Sequence, residues 1–241
     1  MKIEVSLTPA LYPYRTLKEH HVTVAIDVLR ATTAVCAAFQ AGCREVVPLD
    51  TLEALEPYRA QGYAIAAERG GKKLPGSDYG NSPTEYMSKD MSGVRLAYST
   101  TNGTVSILRG ADAELTLVGA FANLGALCER LRKEKLDVVL LCSGWQYDFC
   151  LEDPLVAGAI IERLAAASEE HGDVCIHGDA AHMALDLWHL AQVDPYAYCR
   201  KASHVHRLQG FGPQAQADIE FAFKPDTCRV VPMLKKGVLT L

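Results

Sequence analysis

The sequence predicts an α/β protein: a largely parallel or mixed β-sheet flanked by helices on both faces, with a more helical C-terminal part. Three observations carry this. Short runs rich in Val, Ile and Leu recur along the first two-thirds of the chain. Segments with apolar residues at helical spacing lie between them. Several of the runs are apolar throughout rather than alternating, as strands buried on both faces are.

Taken in order, the runs Ile3–Leu7, Val22–Val28, Glu45–Leu49, Ala64–Ala67, Arg95–Tyr98, Glu114–Val118 and Asp137–Leu141 predict strands. Helices are expected over Ala31–Gln40, Leu52–Gln61, Val105–Leu108, Asn123–Lys133 and Pro154–Ser168. Farther on, Asp179–Leu190 and Tyr196–Arg207 read as helices, and Asp218–Phe223, Arg229–Met233 and Val238–Leu241 as short strands. No linker, low-complexity tract or repeat interrupts the chain, so residues 1–241 are expected to form a single domain.

Composition narrows the partners. The formal net charge is −5, and there is no basic tail, Lys/Arg run or aromatic-basic interleaving, so nucleic acid is not expected. An anion site would have to be built locally. No stretch approaches the length of a membrane span. The start, MKIEVSLTP, alternates like a strand and does not resemble an export signal, so a cytoplasmic setting is expected. Eight scattered cysteines without a CxxC fit reduced, buried thiols. Enzymes of this class and size are commonly dimers, which makes a homodimer the base expectation.

In open α/β sheets ligands gather beyond the carboxyl ends of the strands. Four such ends are chemically loaded. In STTNGT (99–104), Thr100, Thr101, Asn102, Gly103 and Thr104 open a helix, where unpaired N–H groups, hydroxyls and a glycine allowing close approach would cradle a phosphate. The competing reading is an elaborate N-cap. It is not a Walker loop, since GxxxxGK[ST] is absent.

In IDVLRATTAV, Asp27 would bind a hard cation and Arg30 an anion, or the two would pair and cap the helix. Val28 and Leu29 exclude the DxDx[TV] pattern. In the long loop 67–86, Glu68 offers a metal ligand and Arg69 an anion contact. There Asn81 and Ser82 precede Pro83, so Ser82 is either an N-cap or an anion contact. In CSGWQYDFCLEDP, the Ser143–Gly144 corner precedes Glu152 and Asp153, which either complement a helix dipole or serve as metal ligand or general base. Asp148 stands where CxxxxxR would need arginine. His177/His182 and His204/His206 lack the spacing of a zinc site and are expected to be surface or satisfied core histidines.

VAIDVLRATT, ER before a glycine-rich loop, GSDYGNSPTEY, STTNGT, and SG followed by LEDPLVAGAI stand in an order that resembles the 2-phosphosulfolactate phosphatase (ComB) family, from about residue 3 to 160. A looser likeness continues at His177–Ala184, Ser203–Leu208, Gly212, Asp218 and Val231-Pro232. The resemblance implies the family's own α/β fold and a Mg2+-dependent phosphomonoesterase. Its reaction converts 2-phosphosulfolactate to 3-sulfolactate and phosphate, in coenzyme M biosynthesis or sulfolactate formation. The substrate would be a small anion with phosphate, carboxylate and sulfonate groups. Mg2+ would draw ligands from Asp27, Glu68, Glu152 and Asp153. Thr100–Thr104 and Ser143 would donate to the phosphoryl group, and Arg30 and Arg69 would hold the anionic ends. Whether Asp27 is ligand, base or nucleophile stays open at this level.

Overall fold

The computed structural model describes residues 1–146, 148–166 and 174–241. It is an α/β architecture built on one sheet of eleven strands, with ten α-helices among the described residues. The strands are β1 (Lys2–Ser6), β2 (His21–Ile26), β3 (Glu45–Pro48), β4 (Ala64–Arg69), β5 (Lys72–Lys73), β6 (Arg95–Ser99), β7 (Leu115–Gly119), β8 (Asp137–Cys142), β9 (Cys175–His177), β10 (Met233–Lys235) and β11 (Val238–Thr240). Their order across the sheet is β5-β4-β6-β3-β11-β10-β7-β2-β8-β1-β9.

Two sets are parallel within themselves: β4-β6-β3, and β7-β2-β8-β1-β9. The C-terminal hairpin β10–β11 lies between them, antiparallel to β7 on one side and β3 on the other. β2 is buried at every residue because it sits inside its set and is covered on both faces, which explains its unbroken apolar reading.

The helix Ala31–Gln40, α1, is buried along its first nine residues. A helix apolar all round must be enclosed. One core cluster packs it against Ala25 and Val118 from one parallel set and Val46, Leu96 and Tyr98 from the other. The end of β2 is thereby brought close to the end of β6. The second large cluster joins β1, β2 and β8 to α5 (Leu124–Glu134), α6 (Glu152–Ala165) and α7 (Asp179–Ala191). Gly158 lets α6 approach α7, since a β-carbon there would lie 2.1 Å from the Ala184 carbonyl oxygen.

The remaining helices are α2 (Glu56–Ala60), α3 (Pro83–Met87), α4 (Gly103–Arg109), α8 (Pro195–Cys199), α9 (Ser203–Gln209) and α10 (Pro213–Ala222). Several expectations are corrected. Asp218–Phe223 is not a strand: Ala215, Asp218, Ile219 and Ala222 are buried at helical spacing in α10, which starts on Pro213. Tyr196–Arg207 is two helices rather than one, broken at residues 200–202. Leu52–Gln61 is helical only over Glu56–Ala60, and in Arg229–Met233 the ladder begins only at Met233. The last residues of the expected helix Pro154–Ser168, 167 and 168, lie outside the described residues. All eight cysteines are free, and all but Cys175 are buried.

Candidate active site

Asp27 follows β2 directly. Its Oδ1 accepts from the Ala31 N–H (3.1 Å), while its backbone N–H and carbonyl both bond Thr32 Oγ1. Its other oxygen, Oδ2, faces the corner ahead of α4: a β-carbon on Gly103 would lie 2.8 Å from it and 2.2 Å from the Ala31 methyl. Gly103 is therefore a glycine of close approach, without which the STTNGT corner could not reach Asp27.

Within that corner the residues divide. Thr100 and Thr104 satisfy each other: each backbone N–H donates to the other's Oγ1 (3.3 and 3.2 Å), and the Thr104 hydroxyl donates to the Thr100 carbonyl. They are scaffold. Thr101 and Asn102 line a crevice together with Asp27, Glu68 and Arg30. The N–H groups of Thr101, Asn102 and Gly103 have no acceptor among the described residues. α4 spans only Gly103–Arg109, so these directed N–H groups matter more than any accumulated helix dipole.

Glu68, at the end of β4, is buried. Its Oε1 accepts from the Gly71 N–H and from Thr101 Oγ1 (3.2 Å), which ties the β4 turn to the corner. Asp153 behaves differently. Its Oδ1 takes the Val28 N–H (2.9 Å), and its Oδ2 takes the N–H groups of Ser143 and Gly144 (3.1 Å each). Asp153 thus staples the loop after β2 to the loop after β8, and both of its oxygens are committed. Gly144 has φ +60°, and a β-carbon there would sit 2.1 Å from the Asp148 carbonyl oxygen. Ser143 Oγ is buried without a partner among the described residues.

Glu152 is fully buried. Its Oε1 meets His204 Nδ1 at 2.6 Å, and its Oε2 has no partner among the described residues. With Glu152 ionised, Nδ1–H donates and Nε2 is left for the crevice, whose wall His204 helps to form. His204 is thus a buried, hydrogen-bonded histidine, as expected of a satisfied core histidine, and it also stands on the crevice wall.

Arg30 stands on the crevice wall, but its charge is spoken for. Nη1 pairs with buried Asp218 Oδ2 (2.8 Å), and Nη2 donates to the Gly71 carbonyl (2.6 Å). Asp218 Oδ1 also accepts from Ser82 Oγ (2.6 Å) and Thr84 Oγ1, while Ser82 Oγ caps α3 by accepting from the Glu85 N–H. Ser82 is both a cap and part of the arginine clamp. Replacing Asp218 by Ala would leave a buried guanidinium without its counter-charge. We expect a loss of about 3–5 kcal/mol in denaturant unfolding, and a loss under about 1 kcal/mol would show that the clamp is slack. Asn81 lines the crevice and accepts from the Tyr98 hydroxyl. Arg69 points elsewhere: it donates to the Glu68 carbonyl (2.7 Å) and Ser99 Oγ (2.9 Å) and does not line the crevice.

Burial and the nearby Asp153 push the Asp27 carboxyl up to about 8, with His204 and the Ala31 N–H opposing. Burial and Glu152 raise Asp153 to about 7 against the N–H groups it accepts. This is a crowded set of carboxylates short of positive charge. Asp27 Oδ2, Glu68 Oε2 and Glu152 Oε2 accept no hydrogen bond among the described residues, and a hard divalent cation suits such oxygen donors. The donor set fits Mg2+ in kind, although no three His, Cys, Asp or Glu side chains among the described residues already converge as ligands.

Two wall residues lie in stretches singled out in the sequence, CSGWQYDFCLEDP and Ser203–Leu208, but were given no role there. Trp145 stacks on His204 (6.2 Å between centroids), and the Arg207 guanidinium lies 4.5 Å over the Trp145 ring. His204, Arg207 and Leu208 stand at i, i+3 and i+4, so α9 presents one face to the crevice. That spacing was the available signal.

An α/β scaffold with acids, arginines and unpaired N–H groups gathered at its strand ends has the arrangement of a small-molecule site. The chain belongs to the 2-phosphosulpholactate phosphatase family, whose model matches residues 6–237. A protein of Parasynechococcus marenigrum (strain WH8102) is 40% identical over 222 residues, 90% of each chain. One of Synechococcus sp. (strain JA-3-3Ab) is 38% identical over 224 residues, again 90% of each. One of Thermotoga maritima is 36% identical over 223 residues, 92% of this chain and 93% of the relative. All three bear the name probable 2-phosphosulfolactate phosphatase.

Proposed function

We propose that the protein is a phosphoric monoester hydrolase that converts 2-phosphosulfolactate to 3-sulfolactate and phosphate, with Mg2+ as its cofactor. The observation that carries this reading is the meeting, at one crevice, of acids with uncommitted oxygens and a corner with uncommitted N–H groups. An anion alone would be repelled by the acids, and a cation alone would not need the N–H groups. A phosphate ester with a metal ion satisfies both. The names of the family relatives point to the same substrate.

Asp27 and Glu68 would hold Mg2+ on the crevice wall, with Glu152 behind His204 as a further candidate. The bound cation would neutralise charge on the phosphoryl oxygens. The protein's own groups do the rest. The N–H groups of Thr101, Asn102 and Gly103 donate to phosphoryl oxygens. Thr100 and Thr104 lock that corner, and Asp153 fixes the loops that carry Asp27 and Ser143. His204, oriented through Nδ1–H by Glu152, is placed to hand a proton from Nε2 to the departing alkoxide oxygen when the ring carries both protons, and is left as the neutral Nδ1–H imidazole. Replacing His204 by Gln should lower kcat about 10²-fold. A kcat unchanged in that variant across the pH range would remove it from proton transfer.

The direct test is phosphate release from racemic 2-phosphosulfolactate, with Mg2+ and with a chelator, beside phospholactate, phosphoglycolate and 3-phosphoglycerate. Metal-dependent release that is fastest with the sulfonated ester is expected. Preference for an unsulfonated ester would keep the phosphatase and discard the substrate. Absence of release from all four by folded protein with Mg2+ would sink the hydrolase reading.

A further inference from the structure

We infer that Arg207, stacked on Trp145, binds the non-phosphate anionic end of the ligand, a sulfonate or carboxylate, and sets substrate specificity. For the rest of the substrate this rests on the phosphatase reading above.

Three guanidinium groups lie at or near the crevice, and the structure distinguishes them. Arg30 is neutralised by Asp218 and further held by the Gly71 carbonyl. Arg69 spends its donors on the Glu68 carbonyl and Ser99 Oγ, away from the crevice wall. Arg207 is on the wall and has no carboxylate partner among the described residues. Its Nη1 donates to the Gly70 carbonyl (3.0 Å), its Nε is buried without an acceptor, and Nη2 has no acceptor among the described residues. A guanidinium with one edge anchored and its remaining donors unused is prepared for a forked contact with an oxyanion.

The Trp145 ring restrains that plane. The guanidinium carbon lies 4.5 Å from the centre of the indole ring, and the same indole stacks on His204. Stacking lowers the entropy lost when the fork closes on a ligand. The positions of His204 and Arg207 along α9 also separate the two tasks. His204 sits by Glu152 at the reacting end, and Arg207 sits one helical turn farther along α9. A small anion with charge at both ends would span them. The crevice volume in this structure is about 10 Å3, the room of a single water, so ligand entry must displace side chains on this wall.

The test pairs a binding readout with kinetics. Intrinsic fluorescence is titrated with 3-sulfolactate in the wild type, Arg207→Gln, Arg207→Lys and Trp145→Phe, the last identifying which of the two tryptophans reports. KM and kcat are then measured on 2-phosphosulfolactate and on 2-phospholactate, which lacks the sulfonate. Arg207→Gln should weaken 3-sulfolactate binding, and raise KM for 2-phosphosulfolactate, about 10- to 100-fold, with kcat changed by no more than a few-fold. Arg207→Lys should recover part of the loss, which a purely structural role would not predict. KM rising for the sulfonated ester alone assigns the sulfonate, and rising equally for both assigns the carboxylate. A fall in kcat at constant KM, or unaltered binding of 3-sulfolactate in Arg207→Gln, would overturn the assignment. If wild type releases no phosphate, the phosphatase reading fails, yet 3-sulfolactate quenching lost in Arg207→Gln still upholds Arg207. Wild type that shows no quenching would reject it.

Discussion

Replacing Asp27 by Asn should reduce turnover at least about 10²-fold while making the metal-free protein more stable above neutral pH. The two effects share a cause. Asp27 is buried beside Asp153 and Glu68, with His204 as the nearby compensating group and Arg30 already claimed by Asp218. Burial and Asp153 raise its carboxyl to about 8, whereas an aspartate in the unfolded chain titrates at about 3.9. Between these values the folded protein holds a proton that the unfolded chain has lost. The stabilisation from the protonated form is complete below about pH 4 and is lost as pH rises through about 8. Asparagine does not titrate, can still accept the Ala31 N–H, and removes this loss.

The measurement is thermal unfolding with chelator at pH 6 and pH 9, followed by unfolding and turnover with Mg2+. Wild type should lose more of its unfolding temperature between the two pH values than Asp27→Asn. Mg2+ should raise the wild-type midpoint by binding the native state, and raise that of the variant much less. Near-normal turnover in the variant would remove Asp27 from the chemistry. An equal Mg2+ response in both proteins would remove it from the metal site. A group that costs stability where it aids activity is what a functional carboxylate looks like.

The acids and the corner were legible because they interrupt apolar strands at their carboxyl ends, where a core has no use for them. Asp27, Glu68 and STTNGT therefore stood out against β2, β4 and β6. What could not be read was how the polar groups share one another. Thr100 and Thr104 look like ligand donors in sequence, yet they pair across one turn. Asp153 looks like a second metal ligand beside Glu152, yet three backbone N–H groups occupy it. Arg30 reads as a free anion clamp because its counter-ion lies in DIEFAF, where alternation of apolar and polar residues suggested a strand and hid Asp218 on the buried face of α10. His204 and Arg207 were missed for a different reason. They stand on a helix that joins the crevice only in three dimensions, and the spacing that aligns them is ordinary for any amphipathic helix.

Gly103→Ala carries the second large expected effect and separates packing from chemistry. The added methyl would meet the Ala31 β-carbon at 2.2 Å and Asp27 Oδ2 at 2.8 Å. Neither neighbour is a flexible end: Ala31 opens the enclosed helix α1, and Asp27 is held by the Ala31 N–H. The corner must therefore back away, taking the N–H groups of Thr101 and Asn102 with it. Overpacking of this kind costs about 1–3 kcal/mol, and displacement of positioned donors by about 1 Å costs about 10²-fold in rate. Gly76→Ala is the control. It has positive φ but nothing within 4 Å of the added carbon, so it should cost a little stability and no activity. The informative variant is the double substitution Gly103→Ala with Ala31→Gly. Removing the Ala31 methyl relieves the 2.2 Å contact, so unfolding should recover part of the lost stability, giving a coupling energy between the two sites. The contact with Asp27 Oδ2 remains, so turnover should stay low. Recovery of both together would mean that the corner serves only to pack against α1, and that its approach to Asp27 has no part in catalysis.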